Sequence, residues 1–159
     1  IVAKASGRRN LAGIFTAGLL HDIGRAVLWE VVPLASTEID SELEGAALVA
    51  AEQEAIGLTH GEAGYELASH WGLPAELAEP VRFHHTPLEA TEVKDHVAVV
   101  AVADRLIRAR GTQLEENEHL WDGMEPVLDY LGVNVETREA MLDDYLVKRA
   151  NAIRDAFTL

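Results

Sequence analysis

Leu19-Leu20-His21-Asp22-Ile23-Gly24 closes a strongly apolar segment that begins at Leu11. An imidazole and a carboxylate stand side by side at its end. Burying an unpaired carboxylate costs several kcal/mol, so Asp22 calls for a metal, a cation or a hydrogen-bond network. Working outward, the side chains able to answer it are His60, His84, His85 and Asp104.

Leu11, Ile14, Phe15, Gly18 and Asp22 fall at helical spacing. Gly18 is expected to admit a close backbone, and Gly24 to end the helix as a C′ residue with His21 and Asp22 on its last turn. The plain alternative for the pair is a helix C-terminal histidine cation beside an Asp22–Arg25 ion pair. Val27–Val32, stopped by Pro33, reads as a continuing helix or a short strand. Polar residues from Ser36 to Glu42 make a connection. Leu43 to Ile56 has helix composition and Gly57 ends it.

Thr59-His60-Gly61-Glu62 has the spelling of a capping box. His60, Ala63, Gly64, Leu67, Ala68 and Trp71 then recur at helical intervals, so His60 begins an inward stripe. At a helix N-terminus the dipole disfavours an imidazolium, which leaves a neutral ring able to act as a ligand. The alternative is a hydrogen-bonded core histidine. Pro74 suits the first position of a helix carrying Leu77, Val81, His84 and His85; Pro80 falls inside it, so a kink or restart is expected near Glu79.

Lys94 to Arg110 places Val97, Val100, Ala101, Asp104 and Ile107 at helical spacing, although its valine run would also pass for a buried strand. Asp104 then lies on the apolar face, with Arg105 or Arg108 as its ordinary partner. After the acidic connection from Gly111 to His119, Leu120–Leu131 reads as a short helix ended by Gly132. Leu142, Tyr145, Leu146, Arg149, Ile153 and Phe157 mark a closing helix. His70, His96 and His119 read as surface residues. The expected fold is all-α, a bundle of about seven helices.

The bulk numbers fit this reading. The 159 residues suffice for one domain with one core, and a hydrophobic share of 48% with 25% charged residues is globular. Thirteen Lys and Arg against 27 Asp and Glu give a net charge of −14, which disfavours nucleic acid as a bulk partner. The chain has no cysteine, which excludes disulfides and zinc–thiolate sites and suits a cytoplasmic setting. No apolar run approaches the about 20 residues that span a bilayer, so no membrane partner is expected. Ile1–Arg9 reads as the tail of a helix already under way, so residues 1–159 are expected to form a single domain in the C-terminal part of a longer chain.

His21, Asp22, His60, His84, His85 and Asp104 together supply four imidazoles and two carboxylates. Such mixed nitrogen and oxygen ligation suits one or two divalent ions, Fe, Mn, Zn or Mg, and phosphoester chemistry.

Ala17-Gly18-Leu19-Leu20-His21-Asp22-Ile23-Gly24 resembles the HD motif of the HD phosphohydrolase superfamily. With Thr59-His60-Gly61-Glu62-Ala63-Gly64, Trp71-Gly72-Leu73-Pro74, and His84-His85 followed by Ala103-Asp104-Arg105-Leu106, the chain resembles the HDOD subfamily, the HD-related output domains of bacterial signalling proteins. The resemblance implies that His21, Asp22 and Asp104 hold a first metal with an earlier histidine expected before Ile1. It implies that His60, His84 and His85 hold a second, with Asp22 bridging. Asp22 and Arg25 are then the candidate catalytic residues.

Two departures separate the chain from the HD-GYP cyclic di-GMP phosphodiesterases: no Gly-Tyr-Pro follows His84-His85, and Arg25 stands where those enzymes carry lysine. An arginine can contact phosphate with a different geometry. The resemblance thus implies a regulatory output domain that retains a metal cluster without being an efficient enzyme. Its expected partners are other signalling domains or proteins, or a nucleotide or cyclic dinucleotide. The alternative is an active metal-dependent phosphohydrolase or phosphodiesterase acting on such a nucleotide.

Overall fold

The computed structural model describes residues 1–9, 11–31, 39–40, 43–109, 117 and 119–156. Among them every regular element is helical: α1 Val2–Ala5, α2 Leu11–Leu20, α3 Ile23–Val31, α4 Gly45–Ile56, α5 His60–His70, α6 Ala75–Phe83, α7 Lys94–Ile107, α8 Glu125–Leu131 and α9 Val135–Ala156, with one 3₁₀ turn at Pro87–Glu89. The all-α expectation holds. The Pro33 stop, most of the Ser36–Glu42 connection, most of the acidic 111–118 stretch and Phe157 lie outside the described residues.

The chain forms two compact units, Ala12–Ala101 and Ile1–Leu11 with Val102–Leu159. In the first, α5 packs on both α3 and α6. Glycines permit this. A Cβ on Gly24 would stand 1.8 Å from the His60 carbonyl oxygen, and one on Gly64 would meet Val81 Cγ1 at 2.6 Å. Gly24 is therefore not a C′ residue. It lies inside α3 as a point of backbone contact with α5. Gly18 has no such role, because a Cβ there would meet nothing within 4 Å among the described residues.

Local chemistry sets the helix ends. Gly57 takes φ 74° after α4. Thr59 Oγ1 accepts the Glu62 N–H while the Glu62 carboxylate accepts the Thr59 N–H, completing the capping box of α5. The α5 stripe is buried at His60, Ala63, Gly64 and Ala68, but Trp71 at its end is exposed. The run after Arg25 is helix α3, and the valine run of α7 is helix as well. Val97 to Val102 are all buried, which explains why no polar face appears in that part of the sequence.

In the second unit α1 packs on α9, whose buried residues are Met141, Leu142 and Leu146. Tyr145 Oη donates to the Ile107 carbonyl, and Arg149 Nη1 donates to that of Ala109 at 2.6 Å. Gly132 ends α8 with φ 70°. Ile153, expected on the inward stripe, is exposed.

Candidate metal centre

His21 and Asp22 occupy the two-residue turn between α2 and α3 rather than the last turn of a helix. The capping box starts α5 at His60, and α6 delivers His84 and His85 just past its end. One ligand atom each from Asp22, His60, His84 and His85 lies within 4.8 Å of the others. His60 Nε2 is 3.2 Å from His84 Nε2 and 3.0 Å from His85 Nε2. Asp22 Oδ1 stands 3.5 Å from His60 Nε2 and 3.4 Å from His84 Nε2.

The ring protons decide what this convergence can do. His84 Nδ1 faces the Pro80 and Val81 carbonyl oxygens at 3.1 and 3.0 Å, which can only accept, so Nδ1–H donates. By the same logic His21 Nδ1–H donates to the Gly18 carbonyl at 2.8 Å. His60 Nδ1–H donates to Glu52 Oε2 at 2.7 Å. In the neutral rings of His60 and His84, Nε2 then carries a lone pair, and the two lone pairs face each other. That arrangement is repulsive unless a proton or a metal cation lies between them. A divalent ion fits this donor set of imidazole nitrogens and one carboxylate.

Burial works against the charge on Asp22. A proton carried on His84 Nε2 would hydrogen-bond Asp22, and with the attraction of protonated His21, His84 and His60 it outweighs burial and holds the carboxyl well below the usual carboxylate range. The Asp22 side chain is 40% exposed whereas that of His60 is fully buried, so the group is closed at α5 and open at the α2–α3 turn. Arg25 Nη1 reaches Asp22 Oδ2 at 3.6 Å, and its guanidinium lies 5.8 Å from the centre of the exposed Trp29 ring. A cavity of about 270 Å³ adjoins this side, walled by Arg25, Leu28, Trp29, Leu48 and Glu52.

Of the six residues expected to converge, five lie in the Ala12–Ala101 unit. His21 Nε2 is 3.7 Å from Asp22 Oδ2, and its ring packs edge-on against His84 at 4.9 Å. Asp104 belongs to the other unit, where Arg108 one helical turn on is its ion-pair partner. His70 and His119 are exposed, but His96 is half-buried, with its Nδ1 enclosed.

Glu52 was not legible as a site residue. It is buried, and its Oε2 accepts both the ring Nδ1–H and the backbone N–H of His60. The available signal was its spacing, four residues after Leu48 and four before Ile56 on one helical stripe.

An all-helical fold that gathers imidazoles and an aspartate from an HD turn and two further helices defines an HD-type domain with a candidate metal centre. The chain belongs to the HDOD domain family, whose model matches residues 1–87, more than half of it. It is similar to an uncharacterized protein of Treponema pallidum, 34% identical over 112 residues, which are 67% of this chain and 22% of that protein. It is also similar to Ribonuclease Y of Thermus thermophilus, 33% identical over 110 residues, or 69% of this chain and 14% of the enzyme. Ribonuclease Y of Deinococcus radiodurans is 32% identical over 94 residues, 59% of this chain and 12% of that protein. The chain thus spans less than a quarter of the length of these curated relatives. No solved structure matches it significantly. Among the described residues no helix is long and apolar enough to cross a membrane.

Proposed function

We propose that this chain is a bacterial signal-transduction output domain in which Asp22, His60, His84 and His85 hold a divalent metal as a regulatory or structural element. His21 orients the turn beside them. The observation that carries the proposal is the facing of the His60 and His84 Nε2 atoms at 3.2 Å while both Nδ1–H groups are committed elsewhere. The nitrogen-rich set favours Zn, Fe or Mn over Mg, which prefers oxygen ligands. The test is metal analysis of protein purified without chelator, followed by calorimetric titration with Zn²⁺ and Mn²⁺. Stoichiometric binding that is lost in His60→Ala is expected, and no binding by the unaltered protein would sink the proposal.

A second reading is favoured by the similarity to proteins named Ribonuclease Y. There the metal would polarise a phosphoryl oxygen and activate water, and Arg25 would bind phosphate at the open side of the group. The net charge of −14 favours a small phosphodiester over a polymer. Turnover of cyclic dinucleotides with Mn²⁺, abolished in Asp22→Ala, would select this reading over the first.

A further inference from the structure

We propose that Glu52 is the positioning residue of the metal centre: it holds His60 in the Nδ1–H tautomer and, through its charge, makes His60 Nε2 the strongest nitrogen donor of the group. The inference rests on the metal-binding reading above.

His60 is the hub of the cluster, since the Nε2 atoms of both His84 and His85 lie within 3.2 Å of its own. Of the three rings with a committed Nδ1–H, His84 and His21 donate to neutral backbone carbonyls, whereas His60 donates to a carboxylate. A carboxylate behind an imidazole fixes its tautomer and raises the basicity of the far nitrogen. Glu52 does so in a side chain only 5% exposed, where its field on the ring is poorly screened.

The geometry is a clamp. One oxygen, Oε2, takes the His60 backbone N–H at 2.9 Å and the ring Nδ1–H at 2.7 Å, which ties ring orientation to the start of α5. That backbone N–H is among the donors a helix start leaves unsatisfied, so Glu52 also completes the cap begun by Thr59. Among the described residues His60 is the ion-pair partner of Glu52, and no arginine or lysine shares its charge.

The test reads the ring directly. Nitrogen-15 imidazole spectra of the metal-stripped protein are expected to show His60 protonated at Nδ1, and Glu52→Ala to release it into exchange between tautomers. Glu52→Gln keeps an oxygen acceptor but not the charge. It is expected to retain the tautomer, shift the Nε2 resonance and weaken Zn²⁺ and Mn²⁺ binding, with Glu52→Ala weakening it by about 10–100-fold. Should Glu52→Ala fail to fold, the Gln variant carries the test alone. Unaltered protein that binds neither metal overturns the metal-binding reading and this inference with it. Unaltered protein that binds, with affinity and Nε2 resonance unchanged in Glu52→Gln, overturns this inference alone.

Discussion

Glu79 Oε2 accepts the backbone N–H of Val93 at 2.9 Å, and the same carboxylate takes the N–H groups of Thr91 and Glu92 and the Thr91 hydroxyl. A side chain of α6 thus gathers the backbone that leads into α7. Burial opposes the charge, but the Val93, Glu92 and Thr91 donors prevail and lower the Glu79 pKa. A carboxyl depressed in the folded state contributes stability above the ordinary glutamate value of about 4.3, lost as pH falls through the folded value. Urea unfolding between pH 7 and 3 should show stability falling below about pH 4.5, with Glu79→Gln flattening that fall. At pH 7 the variant should cost about 1–3 kcal/mol, and equal pH profiles for the two proteins would refute the assignment.

Gly18 and Gly24, the two glycines of the Ala17–Gly24 motif, should respond in opposite directions. Gly24→Ala drives a methyl into the His60 carbonyl and should cost at least the about 1–3 kcal/mol of an overpacked core. Gly18→Ala meets no atom of the described residues within 4 Å and should stabilise α2 by about 0.5–1 kcal/mol through helix propensity. Thermal or denaturant unfolding of the two variants checks both signs.

The capping box gives a coupled pair. Thr59→Ala should cost about 1 kcal/mol, and Glu62→Ala a similar or smaller amount. Because each bond of the box supports the other, the double variant should lose less than the sum of the singles. Strict additivity in a double-mutant cycle would show that the two bonds act independently.

Metal should act on stability through the cluster alone. At a free Zn²⁺ concentration 100 times its dissociation constant, unfolding should become about 2.7 kcal/mol harder, and chelator should remove the gain. Asp22→Ala should abolish the gain while costing the metal-stripped protein little. Loss of several kcal/mol in both forms would mean instead that Asp22 serves as a buried ion-pair partner. Asp104→Asn weakens a largely buried i,i+4 pair with Arg108 and should cost about 1–3 kcal/mol, read by the same unfolding curves.

What could be read from the chain was whatever rests on local chemistry. The Thr59–Glu62 box, the stop at Gly57 and the end of α8 at Gly132 depend on a few neighbouring residues. The inward His60 followed from its register with Ala63 and Gly64. Less local features escaped. Gly24 looks like a helix terminator until α5 is seen lying on it. Glu52 sits in an alanine-rich helix where a glutamate suggests a solvated face, and only the packed His60 reveals its stripe as the buried one. The helical state of Val97–Val102 was hidden because burial on every side removes the polar positions that betray a period.

The crossing at Gly24 bears on how the spelling HDIG is interpreted. Its last letter is demanded by two backbones touching, a requirement indifferent to whether any ion or substrate is ever present. A descendant that abandoned chemistry altogether would still need that hydrogen atom in place of a methyl, and would go on looking like an enzyme to anyone scanning for the motif. Of its four letters, the glycine testifies to architecture, and only the histidine and aspartate bear witness to a trade.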